Sequence, residues 1–128
     1  MVQQVTEGVN IVVETFYQAV QSNPINGDYL FAYRVTIENL STMPVQLLSR
    51  HWYIFDSNGS HREVEGEGVV GQQPIIEPGS SYQYVSACNL KSDMGKMYGT
   101  YNMENLYNKK KFTVQIPEFQ LIAPFKDN

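Results

Sequence analysis

The chain has 128 residues, of which 42% are hydrophobic and 17% are charged, and its formal net charge is -4. This length suits one domain, and this balance of residues excludes an intrinsically disordered chain. Because affinity for phosphate backbones comes mainly from Lys and Arg side chains, an acidic chain is a poor general binder of them, and we expect no nucleic-acid partner.

The single cysteine, Cys88, cannot form an internal disulfide, which fits a reducing compartment. The N-terminal residues lack the basic and apolar regions of a secretory signal. No apolar run approaches the roughly 20 residues that span a bilayer. We therefore predict a cytoplasmic protein of one domain, residues 1–128, with no membrane partner.

Apolar residues recur with a period of two, which is typical of half-buried β-strands, and no stretch shows a sustained period of 3.6. In residues 47–55 both alternating sets contain apolar residues. This indicates a strand at the centre of a sheet, where Trp52 would sit between two layers. The alternating segments are, in chain order, 9–13, 31–38, 47–55, 81–88, 96–103 and 111–116.

Turn signals at residues 23–28, 57–60 and 77–80 separate these strands, and Asn58-Gly59 is the strongest hairpin signal among them. The basic run at residues 109–111 predicts a solvated turn between two strands. Many short strands without a crossover helix predict an all-β, antiparallel sandwich, with a closed barrel as the alternative.

The segment at residues 66–74 reads GEGVVGQQP, with three glycines and a closing proline. This segment resembles the signature of the ApaG family, and together with other spaced motifs the resemblance covers roughly residues 5 to 126. It implies an immunoglobulin-like or fibronectin-III-like antiparallel β-sandwich. Further matching segments are Arg50–Ile54, Pro78-Gly79, Tyr84–Ser86, Gly95–Tyr101, and Pro117 with Phe119.

The resemblance also implies a function. Similar domains occur in eukaryotic F-box proteins and in a DNA-polymerase-interacting protein, where they serve protein interactions, and the bacterial family is associated with cobalt resistance and magnesium efflux. We therefore predict a protein-interaction or regulatory module associated with divalent-cation (Co²⁺/Mg²⁺) homeostasis. Its partner is another protein, and a homodimer is a further option. The family brings no established catalytic residues, so we predict no enzyme activity and no cofactor.

The glycines Gly66, Gly68 and Gly71 match the dinucleotide-binding fingerprint letter for letter. That fingerprint must open a helix whose N-terminus binds pyrophosphate. Here Pro74 and Pro78 follow, which predicts a tight loop instead. Two alternatives remain: weak phosphate or nucleotide binding by this loop, helped by Arg62 or His61, and an enzyme acting on nucleotide phosphoanhydrides.

A metal site is a further candidate. Glu63, Glu65 and Glu67 share one face of an extended segment, but consecutive carboxylates lie about 7 Å apart, which is wide for joint coordination. Cobalt prefers imidazole, and His51 and His61 could meet across a hairpin. A solvated acidic strand explains the same pattern, so we predict no metal site.

Nucleophilic catalysis has weak support. Ser49 and His51 share a strand face at about 6.6 Å, which is too far for direct pairing. Cys88 lies in an apolar-rich strand and is expected to be a buried, inert thiol.

The tyrosines Tyr98, Tyr101 and Tyr107 lie near Gly99, a glycine that predicts a bulge or a close backbone approach. Tyr98 and Tyr101 fall on opposite faces, so one of them can face a protein partner. A concave pocket that holds Arg50, His51, His61 or Arg62 beside the glycine loop would instead favour an anionic ligand.

Overall fold

Two antiparallel β-sheets pack together in a computed structural model that describes residues 1–124. Residues 125–128, which end the predicted domain and include the last positions of the resemblance, lie outside the described residues. Among residues 1–124, none of the helical segments is long and apolar enough to cross a bilayer. The elements are β1 (Val2–Thr6), β2 (Val9–Tyr17), a 3-10 turn (Pro24–Asn26), β3 (Tyr29–Asn39), β4 (Val45–Asp56), β5 (His61–Glu67), β6 (Ile75–Ile76), β7 (Ser81–Leu90), β8 (Met94–Asn105) and β9 (Lys111–Ile122).

The first sheet has the strand order β1-β2-β3-β7, and the second has the order β5-β4-β8-β9, with β6 beside β4. The predicted all-β sandwich is therefore confirmed, and the barrel alternative is wrong. In this order β5 and β7 are both edge strands, one in each sheet.

The six alternating segments correspond to β2, β3, β4, β7, β8 and β9, and β4 is central as predicted because β5 and β8 flank it. The hairpin at Asn58-Gly59 joins β4 to β5. The strand β1 was not predicted, because its two valines are separated by two glutamines. A signal was present in Glu7-Gly8, whose φ values of 46° and 80° form the two-residue turn typical of hairpins.

Trp52 lies in the interior, as its place in a central strand predicted, and is 3% exposed. Its ring meets Tyr33 of the first sheet edge-on, with the centroids 5.4 Å apart. It also meets Tyr101 and Phe119 of its own sheet at 6.3 and 5.9 Å. Such aromatic pairs contribute about 0.5–1.5 kcal/mol each beyond the area they bury. Trp52 therefore ties the two sheets together.

Gly99 confirms the prediction of a close backbone approach. A Cβ atom at this position would lie 2.1 Å from the His51 carbonyl oxygen of β4. The pairing of β8 with β9 also changes register between Met97 and Gly99, which is a bulge.

The corner between the sheets depends on Asn39, a fully buried amide at the end of β3. Its Nδ2 donates to the carbonyl oxygens of Met43 and Ile76 at 2.8 and 2.9 Å. Its Oδ1 accepts hydrogen bonds from the Ser41 backbone and side chain. One side chain therefore satisfies the buried backbone where the chain passes from the first sheet to the second.

The hydroxyl groups of Tyr84 and Tyr101 share a short hydrogen bond inside the core. Replacing either residue with Phe leaves the other hydroxyl buried without its partner, so each single variant is expected to lose about 1–2 kcal/mol of unfolding free energy. The double variant Tyr84→Phe, Tyr101→Phe should lose clearly less unfolding free energy than the two single variants together, because no hydroxyl is left buried without a partner. Urea unfolding of the four proteins measures the coupling, and strictly additive losses would contradict it.

Burial raises the pKa of Tyr33, Tyr84 and Tyr101 above the ordinary tyrosine value. The folded state therefore holds these protons more tightly than the unfolded state, whose tyrosines titrate near about 10. The stability is fully present below that pH and is lost as the pH rises through the raised pKa values of the folded state. We expect the urea midpoint to fall between about pH 10 and 11, and to fall less steeply in Tyr101→Phe. A urea midpoint that stays constant over this pH range would refute the raised pKa values of these tyrosines.

Candidate functional site

The predicted glycine loop starts at the end of the edge strand β5. Gly66 is still part of β5, whereas Gly68 and Gly71 adopt positive φ values of 62° and 76° in the turn that follows. The next element is the short strand β6, so a tight turn stands where a dinucleotide-binding fold would have a helix.

Three backbone N–H groups of this turn are already used inside the fold. Gly68 donates to Leu48 at 2.8 Å, and Val69 and Gln72 donate to each other's carbonyl oxygens at 2.8 and 2.9 Å. An anion nest requires N–H groups that point at the ligand. Phosphate or nucleotide binding by Gly66, Gly68 and Gly71 stays a prediction, and its donors would have to come from elsewhere in the turn.

What the loop does bind is the side chain of Arg50. The Nη1 atom of Arg50 donates to the carbonyl oxygens of Glu67 and Gly68, both at 2.9 Å. The guanidinium lies against Gly66, where an added Cβ would be 2.8 Å from both Nη atoms. The loop therefore presents acceptors to a cation and sets the position of Arg50. The sequence carried no local signal for this contact, because Arg50 and Gly66 are sixteen positions apart.

The metal candidates lie on the outer face of the second sheet. The two ring nitrogens of His51 contact Glu63 Oε1 at 2.8 Å and Glu65 Oε1 at 2.9 Å. His61 is opposite Phe55 in the strand pairing and stacks on that ring instead of meeting His51. Within residues 1–124, no three His, Cys, Asp or Glu side chains are placed to hold a metal ion.

The candidate nucleophiles Ser49 and Cys88 lie on the strands β4 and β7. Ser49 Oγ accepts a hydrogen bond from Asn102 Nδ2 at 3.0 Å. Cys88 is 5% exposed, which confirms the predicted buried thiol. Burial raises the pKa of the Cys88 thiol, and the nearby Arg62 opposes this increase. The thiol therefore stays protonated, which is the unreactive form.

Five stacked rings form a row across the outer face of the second sheet, which we call the aromatic strip. Tyr98 lies in this row, whereas Tyr101 is fully buried, so the predicted separation of these two tyrosines onto opposite faces is confirmed. Neighbouring centroids are 4.4–6.0 Å apart and the rings are within 25° of parallel. The strip consists of His51, Tyr53, Tyr98, Phe55 and His61.

Charged side chains line both sides of the aromatic strip. Glu63 and Glu65 of β5 are 55% and 72% exposed, although both contact His51. On the other side, Lys96 lies 5.4 Å from the centroid of Phe55 and 3.5 Å from Glu118. Tyr53 and Phe55 were not predicted to lie at the surface. The available signal was that the outward set of β4 contains Tyr53 and Phe55, whereas the inward set contains a single aromatic residue, Trp52.

Residues 19–105 match the family model described as the ApaG domain. The chain belongs to the ApaG family. Protein ApaG from Brucella suis biovar 1 is 48% identical over 124 residues, which cover 97% of this chain and 95% of that protein. Protein ApaG from Brucella abortus (strain S19) gives the same figures.

Solved structures agree with this assignment. The crystal structure of the ApaA protein from Bordetella pertussis superposes with a TM-score of 0.88 at 42% identity, covering 92% of this chain and 95% of that chain. The C-terminal domain of wzt shares the fold alone, with a TM-score of 0.56 at 8% identity over 98% of this chain and 79% of that one. The ApaG resemblance predicted from residues 66–74 is therefore confirmed. In this ApaG-family chain the glycines of that segment shape a turn and make room for Arg50.

The two positive-φ glycines of the loop give a matched pair of tests. Both Gly68→Ala and Gly71→Ala place a side chain in the left-handed region, at a cost of about 1–2 kcal/mol. At Gly68 the new Cβ would also lie 2.2 Å from the Gln72 carbonyl oxygen, whereas at Gly71 no atom lies within 4 Å. We expect Gly68→Ala to lose at least about 1 kcal/mol more unfolding free energy than Gly71→Ala. Urea unfolding monitored by fluorescence checks this, and equal losses would contradict the tight turn.

Proposed function

We propose that this ApaG-family protein is a protein-interaction module, and that the aromatic strip is the surface on which its partner docks. The observation that carries the proposal is the row of five stacked rings on the outer face of the second sheet. Outer faces of antiparallel sheets are usually polar. An aromatic row in that place therefore needs a reason beyond the stability of the sheet.

The ring geometry supports a docking surface. Tyr53, Phe55 and Tyr98 are each partly exposed and are held by stacking on one another. Tyrosine combines a large apolar area with a polar tip and has few rotatable bonds, so ordering it at an interface costs little entropy. Pre-stacked rings reduce that cost further, because their rotamers are already restricted.

The charges beside the strip favour a partner with basic side chains. Glu63, Glu65 and Glu67 form a row along the outer face of β5, and the chain as a whole carries a net charge of -4. Lys and Arg side chains bind aromatic faces as well as carboxylates, and Lys96 already lies over Phe55 in this way. We therefore expect the partner to present Lys or Arg residues to the strip.

The proposal includes a regulatory role in divalent-cation homeostasis. Its support is the association of the ApaG family with cobalt resistance and magnesium efflux. A docking module fits that association without an ion site of its own, since the partner would act on the cations.

The test starts with cross-linking and capture from native cells, followed by calorimetry with the purified partner. Replacing Tyr53 and Tyr98 together with Ser should weaken binding about tenfold or more, because interface tyrosines are frequent hot spots. The matched control is Tyr107→Ser, a tyrosine that is 67% exposed in the turn between β8 and β9. Thermal unfolding of each variant verifies that the fold is retained.

Replacing Glu63 and Glu65 with Gln tests the charge argument separately. This variant should bind more weakly at low salt and should show a smaller salt dependence than the wild type. Equal binding by the wild type and the Tyr53, Tyr98 double variant would overturn the strip as the docking surface. Sedimentation that shows a dimer broken by the same double variant would assign the strip to a second copy of the chain instead.

A further inference from the structure

A cleft of about 200 Å³ opens between the two sheets, on the side where the edge strands β5 and β7 face each other. Its floor includes the rings of Tyr33 and Trp52, and its polar lining includes Arg50, Arg62 and Ser86. It lies on the inner side of β5, away from the aromatic strip. The cleft is therefore a feature separate from the proposed docking surface.

Arg50 supplies the first positive charge of the cleft. Its Nη1 is held by two carbonyl oxygens of the glycine loop, which fixes the guanidinium without neutralising it. A guanidinium has five N–H donors, so the two contacts of Nη1 leave the donors of Nε and Nη2 for a ligand. Within the part of the chain that the structure describes, no carboxylate forms an ion pair with Arg50.

Arg62 supplies the second positive charge from the opposite end. Arg62 lies on β5 opposite Ile54 of β4, which is four residues, or about 13 Å, along β4 from Arg50. From there its side chain crosses to the other sheet. There its Nη2 donates to the Asn89 carbonyl oxygen at 2.7 Å. The nearby Asp56 carboxylate accepts hydrogen bonds from Ser92 Oγ and the Lys91 backbone, and over residues 1–124 Arg62 has no ion-pair partner within 4 Å.

Neutral groups complete the lining. Burial raises the pKa of the Tyr33 hydroxyl, and burial likewise raises the pKa of the Cys88 thiol. Both groups therefore remain protonated and add no negative charge. The alternation of side chains along β5 keeps carboxylates out of the cleft. Arg62 and Val64 face the cleft, while Glu63 and Glu65 face outward.

We propose that this cleft is a binding site for a small tetrahedral oxyanion, either inorganic phosphate or the phosphoryl end of a small phosphomonoester, held by Arg50 and Arg62. Two guanidinium groups line this one cleft. One arginine fork already satisfies a planar carboxylate, whereas the further oxygens of a tetrahedral phosphate can use the donors of a second arginine. The volume is below the roughly 300 Å³ at which pockets for drug-sized ligands begin. It admits a phosphate with a few waters but not a nucleoside.

The test is a titration with inorganic phosphate and, in parallel, with glycerol phosphate, followed by proton–nitrogen correlation spectra of the full chain. Chloride at matched ionic strength is the reference. We expect saturable binding with a dissociation constant of about 1 mM or below at low salt. The shifted amides should include Ser86 and Asn89. Tighter binding of glycerol phosphate identifies a phosphomonoester as the ligand, and equal binding identifies free phosphate.

Arginine variants distinguish phosphate binding in the cleft from nonspecific attraction of the anion to positive charge. Arg62→Gln and Arg50→Gln should each weaken phosphate binding about tenfold, the cost of losing one charge-assisted contact. Arg34→Gln is the control, because Arg34 is paired with Glu14 at 2.9 Å on another strand pair. Arg62 is exposed, so its variant tests the site even if Arg50→Gln loosens the loop.

Three results would overturn the proposal. The first is the absence of saturable phosphate binding up to about 10 mM. The second is equal affinity in the wild type and Arg62→Gln. The third is a shift pattern confined to residues 66–71 or 109–111, which would place the anion on the glycine loop or on the basic turn.

Discussion

The ring of Trp52 reaches from the second sheet to Tyr33 of the first, and this edge-to-face contact joins the two layers. The same two rings form part of the floor of the cleft, so the contact that joins the sheets also shapes the cleft. Because β5 and β7 are both edge strands, the layers stay open beside this contact. Arg62 crosses that opening to the Asn89 carbonyl oxygen and so bridges the two edges.

The pleat of β5 places opposite charges on opposite faces of one strand. Glu63 and Glu65 project outward beside the aromatic strip, while Arg62 projects inward. A chain with a net charge of -4 therefore has a locally positive interior cleft. Net charge describes long-range behaviour such as solubility, but it does not predict the potential inside a cleft. The two surfaces can therefore favour ligands of opposite charge.

The glycine segment shows why a motif requires its structural context. Gly66, Gly68 and Gly71 have the spacing of a dinucleotide fingerprint, yet a turn and the strand β6 follow them. Without a helix, this turn has no helix dipole to hold pyrophosphate. In this ApaG-family chain, Gly66 admits the Arg50 guanidinium and Gly68 admits the Gln72 carbonyl group. The phosphate-binding groups that we infer are arginines, one of which this loop positions.

The sequence by itself predicted an all-β protein with a sandwich as the first choice, the central strand β4, the interior place of Trp52, a bulge or close backbone approach at Gly99, and the resemblance to the ApaG family. It could do so because strand alternation and turn chemistry are local properties, and because family motifs are contiguous. Only the tertiary structure decided which rings form the aromatic strip and that Arg50 and Arg62 share one cleft. Those neighbours come from β4, β5, β7 and β8, and their meeting depends on register and sheet packing, which residue spacing along the chain does not contain.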